Sequence, residues 1–508
     1  MTLRNQVQLI TYADRLGGDL PGLARVLRSP ELDGAFGGVH VLPFFTPFDG
    51  ADAGFDPVDH TTVDPRLGTW DDVRDIATTH DVVVDLIVNH VSADSAAFQD
   101  VKAKGEASSH YPMFLTMSTV FPEGATEEEL TRIYRPRPGL PFTPVKLGDR
   151  LRYVWTTFTP QQVDIDVRSS VGQAYLTSIL EAVAGAGVTL IRLDAVGYAL
   201  KTPGTTSFMT PETFQFIESF TDQARERGVH VLVEVHSYYQ QQIEIGRSVD
   251  LVYDFALPPL VLHALYTGNG EALVRWMGIR PPNAVTVLDT HDGIGVIDVG
   301  PDQTAPERPG LLAPAQIDEL VEGIHHHTGG TSAQATGAAA SNLDLYQVNS
   351  TFYHALGRDD RRYLAARAIQ LFTPGIPQVY YVGALAGGND MDLLTSSGVG
   401  RDINRHHYTP AEISDALERP VVKALLGLCR LRNQVPAFDG DLAVSLDGST
   451  LTMVRRGVEF PAAEATLVVD LSTGDARIDW VHAGAAGRAD DLMTLDAVPM
   501  PGGGAATA

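Results

Sequence analysis

Eight apolar runs recur along the chain, separated by helical or loop sequence: VQLITYAD (7–14), GVHVLPF (38–44), VVVDLIVNH (82–90), VTLIRLD (188–194), VHVLVEVH (229–236), LVYDFALP (251–258), AVTVLDTHD (284–292) and IPQVYYV (376–382). A strand with one wet face alternates apolar and polar residues. These runs are nearly continuous in Val, Ile and Leu, so both faces are buried, as in a parallel sheet covered by helices. Amphipathic stretches at 172–187 and 211–228 each end at glycine, the usual residue just past a helix. Eight such units of an α/β chain predict a (β/α)8 TIM barrel. A doubly wound open sheet is the competing architecture, weakened because no GxGxxG turn follows any of the runs.

Two interruptions are too long for simple loops. Residues 91–168, rich in Pro, Phe and Tyr, read as an inserted small domain after strand three, and 294–357 as a second insertion after strand seven. Beyond 437 the pattern changes to short alternating segments such as LAVSLDG and ATLVVDLS, which predict a C-terminal antiparallel β domain over 438–508. The barrel is thus expected in three parts, 1–90, 169–293 and 358–437, and the final PGGGAATA is expected to be disordered.

The formal net charge of −26 opposes binding to nucleic acid or an anionic membrane, and an anionic substrate would need a local cluster of arginines. No uncharged apolar stretch approaches the ~20 residues of a membrane helix. The N-terminal apolar run is too short for a signal peptide. A single cysteine, Cys429, excludes an intramolecular disulfide. A soluble, cytoplasmic protein is the expectation.

In such a barrel the active site lies at the C-terminal ends of the strands. Here those ends carry Asn89 and His90, Arg192 and Asp194, Glu234 and His236, and His291 and Asp292. Arg192 and Asp194 are two apart, so they share a strand face that points to the barrel axis. The guanidinium is expected to lower the pKa of Asp194 and keep it charged, as a carboxylate nucleophile requires. Glu234 has no cation on its own strand except the titratable His236, so apolar walls would let it hold a proton and act as an acid. One charged and one protonated carboxylate are what a retaining glycosidase needs. A lone Arg-x-Asp is more often a structural ion pair; the coincidence at four strand ends is what marks a catalytic rim.

The stretches DLIVNH, IRLDAVGY, VEVHS and LDTHD, in this order, resemble the signature regions of the α-amylase family of retaining glycoside hydrolases. The resemblance implies Asp194 as nucleophile, Glu234 as general acid/base and Asp292 as transition-state stabiliser, with His90, Arg192 and His291 contacting the sugar. Where starch-degrading members carry Lys-His after the nucleophile, this chain reads VGYALK, which argues against a long glucan. VQLITYADRLGGDL, LPFFTPFDGADAGFDPVDH, YRPRPGLPF, NLDLYQVNST and GRDINRHHY are most similar to the sucrose phosphorylase subgroup. That resemblance implies a closed pocket for one glucosyl unit. Asp52 and Arg401 would clamp its far hydroxyls, and Phe55 and Tyr198 would stack on its ring. Arg137, His236, Asp344, Tyr346 and Gln347 would hold fructose or phosphate. The implied partners are sucrose, inorganic phosphate as co-substrate and, as in some relatives, a second copy in a homodimer; no cofactor is implied. Rival readings are a phosphorylase of sucrose 6'-phosphate or glucosylglycerate, a sucrose-acting hydrolase or transglucosidase, and a non-catalytic barrel.

Other features read blandly. His325, His326 and His327 look like a solvated loop, and three consecutive side chains cannot all face one metal. Asn89 matches a calcium-binding position of many amylases but lacks clear partner ligands, so no metal is expected. Residues 328–341 read as flexible loop, Glu127 to Glu129 as a solvated helix face, and Asn349-Ser350-Thr351 as a sequon without consequence in a cytoplasmic chain.

Overall fold

All eight apolar runs form strands, and the strands close on one another. They are β1 (Gln8–Thr11), β2 (Gly38–Val41), β3 (Asp81–Ile87), β4 (Leu190–Asp194), β5 (His230–Val233), β6 (Leu251–Asp254), β7 (Ala284–Thr286) and β8 (Ile376–Tyr380). Each pairs in parallel with its sequence neighbours, and β8 pairs with β1 through Leu9 and Val379, making a closed (β/α)8 barrel. The computed structural model describes residues 3–50, 52–135, 139–303, 305–339, 347–482 and 485–497; the 501–508 tail lies outside them.

Every strand is shorter than its apolar run. The run 251–258 overshoots most plainly: the strand stops at Asp254 and a helix, Leu257–Thr267, begins on Pro258 and Pro259. That helix is buried through its first nine residues, so it has no polar face to distinguish it from a buried strand. One consequence corrects the sequence reading of the rim. Only Arg192 and Asp194 stand on a barrel strand; Asn89, Glu234, His236, His291 and Asp292 occupy the segments just beyond β3, β5 and β7, and His90 opens a separate short strand, His90–Ser92.

The helix expected at 172–187 spans Ser170–Gly185, with Ser169 accepting from the Gly172 N–H at 3.0 Å. The helix expected at 211–228 spans Pro211–Glu226, with proline in its first turn and Thr210 as cap. Gly187 and Gly228 follow at φ 77° and 75°, the left-handed turn that sends the chain into the next strand.

Between β3 and β4 lie short helices and a hairpin, Phe142–Leu147 with Arg150–Trp155, holding a small cluster of Leu115, Val120, Phe121, Ile133 and Trp155. Glu127 to Glu129 open the exposed helix Glu127–Arg132. Beyond β7 two loop expectations are overturned. His325, His326 and His327 form the last turn of a helix, Pro314–His327, and Thr331–Ala339 is also helical. The sequence does carry a signal for the first. Pro314 suits a first turn, and Ile317, Leu320, Val321 and Ile324 recur at helical spacing. After the barrel, β9 (Asp441–Asp447), β10 (Thr450–Arg456), β11 (Glu464–Asp470), β12 (Ala476–His482) and β13 (Ala485–Ala489) form an antiparallel meander. Its inner face carries Leu451, Met453, Leu467, Val469, Ile478 and Trp480.

The barrel interior is apolar in part only. A chain of buried hydrogen bonds crosses it: Asp85 to His40 Nε2 at 3.1 Å, His40 Nδ1 to the Tyr253 hydroxyl at 3.4 Å, Tyr253 to Gln378 at 2.8 Å, and Gln378 to Gln8 at 2.8 Å. Strands β3, β2, β6, β8 and β1 are thereby tied to one another through their side chains.

Candidate active site

One guanidinium organises the rim. Arg192, 3% exposed, extends from β4 so that Nη1 meets Asp85 of β3 and lies 3.1 Å from Asp194, while Nη2 lies 2.9 Å from Glu234. Three carboxylates therefore share one permanent cation. Burial opposes ionisation of Asp85, but Arg192 and His40 pull its pKa down to about 2. Asp194 goes the other way. Burial, and then the negative charges of Glu234, Asp85 and Asp292, push its carboxyl well above the ordinary range, and Arg192 only partly offsets them. This corrects the expectation that Arg192 would hold Asp194 low. It also corrects the account of Glu234, which takes its cation from the neighbouring strand. Of the acids on this guanidinium, Asp194 is thus the one that burial and charge dispose to hold a proton.

The opposite wall is built by the segment after β7. Asp292 lies 2.9 Å from Arg401, which is also 3.8 Å from Asp52. Burial would raise the Asp292 carboxyl, but Arg401, with His236 and Arg405 behind it, holds it well below the usual range, so Asp292 is ionised. His291 is neutral, since burial lowers it to about 3. Its ring stacks on Phe55 at 4.8 Å with 7° between planes. The segment is pinned from behind, where Arg405 Nε donates to the His291 carbonyl at 3.0 Å and Asn404 donates to that of Thr290 at 2.9 Å. His90 is buried, with Nε2 2.9 Å from the Phe55 carbonyl.

The third wall is aromatic. Tyr198 packs against Phe208 at 4.7 Å and Phe158 at 5.2 Å. It follows Ala195, a non-glycine residue at φ 54° immediately after Asp194, the kind of strained backbone that clusters at functional sites. Together these side chains enclose a pocket of about 870 Å³, counted to its open mouth, with His236 and Gln347 on its rim. Of the residues expected from sequence, Asp52, Phe55, His90, Asp194, Tyr198, Glu234, His236, His291, Asp292, Gln347 and Arg401 all line it. Arg192 lies beneath the carboxylates. Arg137, Asp344 and Tyr346 lie outside the described residues. Sequence reasoning missed Gln162, Phe158 and Phe208, which stand on segments without periodicity, and the role of Asp85. A charge inside the fully apolar run VVVDLIV was the available signal for Asp85.

Glu234, His236 and Asp292 have ligand-type atoms within 4.8 Å of one another, which is metal-site spacing. Two of the three are already engaged by Arg192 and Arg401, so the donor set is charge-matched without a dication. At the amylase calcium position, Lys201 Nζ lies 2.8 Å from Asn89 Oδ1 and 2.6 Å from Asp164, all three buried. The lysine of VGYALK is thus spent inside the protein, out of reach of a substrate. Lys201→Met strands the Asp164 carboxylate and is expected to cost about 3–5 kcal/mol in urea unfolding. A variant as stable as the parent would show the pair to be dispensable.

The α-amylase catalytic domain family matches residues 13–261. The chain is 57% identical to a sucrose phosphorylase of Bifidobacterium adolescentis over 97% of its own length and 99% of that protein's. It is 59% identical to a sucrose phosphorylase of Agrobacterium vitis, over 94% and 97% respectively. Among solved structures, a sucrose 6F-phosphate phosphorylase from Thermoanaerobacter thermosaccharolyticum superposes with a TM-score of 0.88 at 37% identity, covering 96% of this chain and 98% of that one.

Proposed function

The chain belongs to the sucrose phosphorylases of the α-amylase family, and we propose that its pocket exchanges the fructosyl group of sucrose for phosphate by two displacements at one carbon. Sucrose and inorganic phosphate give α-D-glucose 1-phosphate and D-fructose, reversibly. The observation that carries this reading is the junction of Asp194, Glu234 and Asp292 at one barrel end, with Arg192 bridging the first two.

Asp194 attacks the anomeric carbon as the bond to fructose breaks, and Glu234 donates its proton to the departing oxygen. Asp194 must be ionised when it attacks, and Glu234, joined to it through Arg192, is the neighbouring carboxylate that can take up its proton. Asp292, ionised beside Arg401, faces the positive charge that develops on the ring. A β-glucosyl ester of Asp194 results. A phosphate oxygen then attacks the same carbon from the face that fructose left, the ester bond breaks, and configuration is retained. Asp52 and Arg401 close the far end around one glucosyl unit, Phe55 and Tyr198 supply apolar platforms, and His90 and His291 supply polar contacts. Arg137, His236, Asp344, Tyr346 and Gln347 serve the acceptor side. No cofactor is required, because each step needs only a carboxylate and a proton. A homodimer and a cytoplasmic location complete the proposal. The second accords with a single buried cysteine and with no helix, among the described residues, long and apolar enough to cross a membrane.

The test follows α-glucose 1-phosphate, fructose and glucose from sucrose with and without phosphate. Equal amounts of fructose and α-glucose 1-phosphate, dependent on phosphate, are expected. Glucose released equally well without phosphate would make the protein a hydrolase. Turnover only of sucrose 6'-phosphate or glucosylglycerate would move the assignment to those glucosides. For Glu234→Gln, sucrose cleavage is expected to fall about 10²–10⁴-fold. Cleavage of α-glucosyl fluoride, whose leaving group needs no proton, should stay near normal. Equal loss on both donors would remove the acid role.

A further inference from the structure

Asp298 lines no part of the pocket, yet it is fully buried directly behind His236. It stands in the 3-10 turn Ile297–Val299, just after the short strand Ile294–Gly295. Three groups converge on its carboxylate: His236 Nδ1 at 2.9 Å, the Ser237 backbone N–H at 3.1 Å and the Gln242 side-chain amide at 2.9 Å. A carboxylate oxygen accepts, so Nδ1 carries the hydrogen, and the ring is oriented with Nε2 towards the pocket. There Nε2 lies 3.9 Å from Glu234. The Gln347 amide nitrogen, 3.4 Å away, is a donor, so a protonated Nε2 requires that amide to turn its oxygen inward, releasing the Gly293 N–H from which it accepts. Phe255 stacks on the imidazole at 3.8 Å with 15° between planes and fixes its tilt.

Gly295 supplies an independent sign that this pairing is built. A Cβ on residue 295 would sit 2.4 Å from Asp298 Oδ2 and 3.3 Å from His236 Nδ1. A bare backbone is what admits the carboxylate and the imidazole side by side.

We infer that Asp298 is a positioning residue for the phosphate step, holding His236 as an imidazolium whose Nε2–H is aimed beside Glu234 at the incoming anion. The inference rests on the phosphorylase reading above. The charged groups that bear on the imidazole are Asp298, Glu234 and Asp292, all carboxylates, and the last two are themselves paired with Arg192 and Arg401. Burial disfavours the charged ring, but those carboxylates outweigh it and raise His236 above the ordinary histidine range. In a chain of charge −26, an oriented cation at the acceptor side is what an anionic nucleophile needs and what water does not. The pair thus favours phosphate over water as acceptor.

The test substitutes Asp298→Asn, which keeps the shape and removes the charge. KM for phosphate is expected to rise about tenfold or more. The alkaline limb of kcat/KM for phosphate should move to lower pH, while glucose release from sucrose without phosphate is retained. Gly295→Ala, which forces the pair apart without altering any charge, should shift both in the same direction. The direct readout is the pH titration of the His236 Cε1–H signal by NMR, assigned by its loss in His236→Gln. The wild-type midpoint should lie above the ordinary 6.5 and fall below it in Asp298→Asn. A wild-type midpoint at or below 6.5 overturns the inference, even if no variant folds. So does an Asp298→Asn protein with an unchanged titration and unchanged phosphate KM. Failure of the functional reading would look different: a wild-type protein that makes no α-glucose 1-phosphate, whatever His236 does.

Discussion

Asp194→Ala is expected to reduce sucrose cleavage by at least about 10⁴-fold while the protein melts at or above the wild-type temperature. Loss of activity follows from removal of the carboxylate proposed to form the glucosyl ester. The stability half follows from the electrostatics of the site. Burial and three neighbouring carboxylates raise the folded-state pKa of Asp194 above its unfolded value. A group shifted in that direction contributes stability below its unfolded pKa and loses it as pH rises through the folded one. At neutral pH Asp194 is therefore a liability to the fold, and its removal should help more at pH 8 than at pH 5. Arg192 keeps Asp85 and Glu234 as partners in the variant, so nothing is orphaned. Calorimetry across that pH range, with the sucrose assay beside it, checks both halves. Near-normal turnover, or inactivity explained by a lower melting temperature, would sink the assignment.

Arg192→Ala is the opposite case, costing both fold and function. The guanidinium is 3% exposed, and its removal leaves Asp85, fully buried, together with Asp194 and Glu234 and without the cation they share. Breaking a buried ion pair costs about 3–5 kcal/mol. The sign with pH again discriminates. In the wild type Asp85 titrates near 2, below its unfolded value, so its contribution is present above about 3.9 and lost as pH falls towards 2. In the variant the carboxylates shift upward. The deficit should then be largest near pH 7 and shrink towards pH 4, as the cluster takes up protons. Urea unfolding of both proteins at the two pH values measures this. A deficit independent of pH would mean that Arg192 acts by packing rather than by charge. Lysine is not expected to rescue, because one ammonium cannot face three carboxylates from two adjacent nitrogens.

The barrel was legible because its strands are buried on both faces and helices such as Pro211–Glu226 are not, a difference that sequence displays as pattern. Strand ends were less legible. The apolar run at 251–258 crosses from strand into buried helix without any change in composition, and at 284–292 it continues six residues past a three-residue strand. Asp194, Glu234 and Asp292 could be picked out because they interrupt apolar runs at matching ends. Their protonation could not, since it depends on which strand lends its cation to which carboxylate. Glu234 reads as having no partner along its own strand, and on the neighbouring strand it has Arg192. The aromatic wall of Phe158 and Phe208 stands on segments 50 residues apart, joined only by the fold. Asp298 looks like any loop aspartate until the fold packs His236 against it.

The hydrogen-bond chain that runs from Asp85 through His40, Tyr253 and Gln378 to Gln8 has a consequence for how such a protein can change. Through Arg192 it makes the end of the pocket proposed to hold glucose continuous with the framework that closes the barrel. Drift at that end is felt as misfolding before it can be felt as a new specificity. His236, Gln347, Phe158 and Phe208 hang from segments outside that framework. Selection, natural or in the laboratory, therefore has free play over what the sugar is joined to and little over the sugar itself.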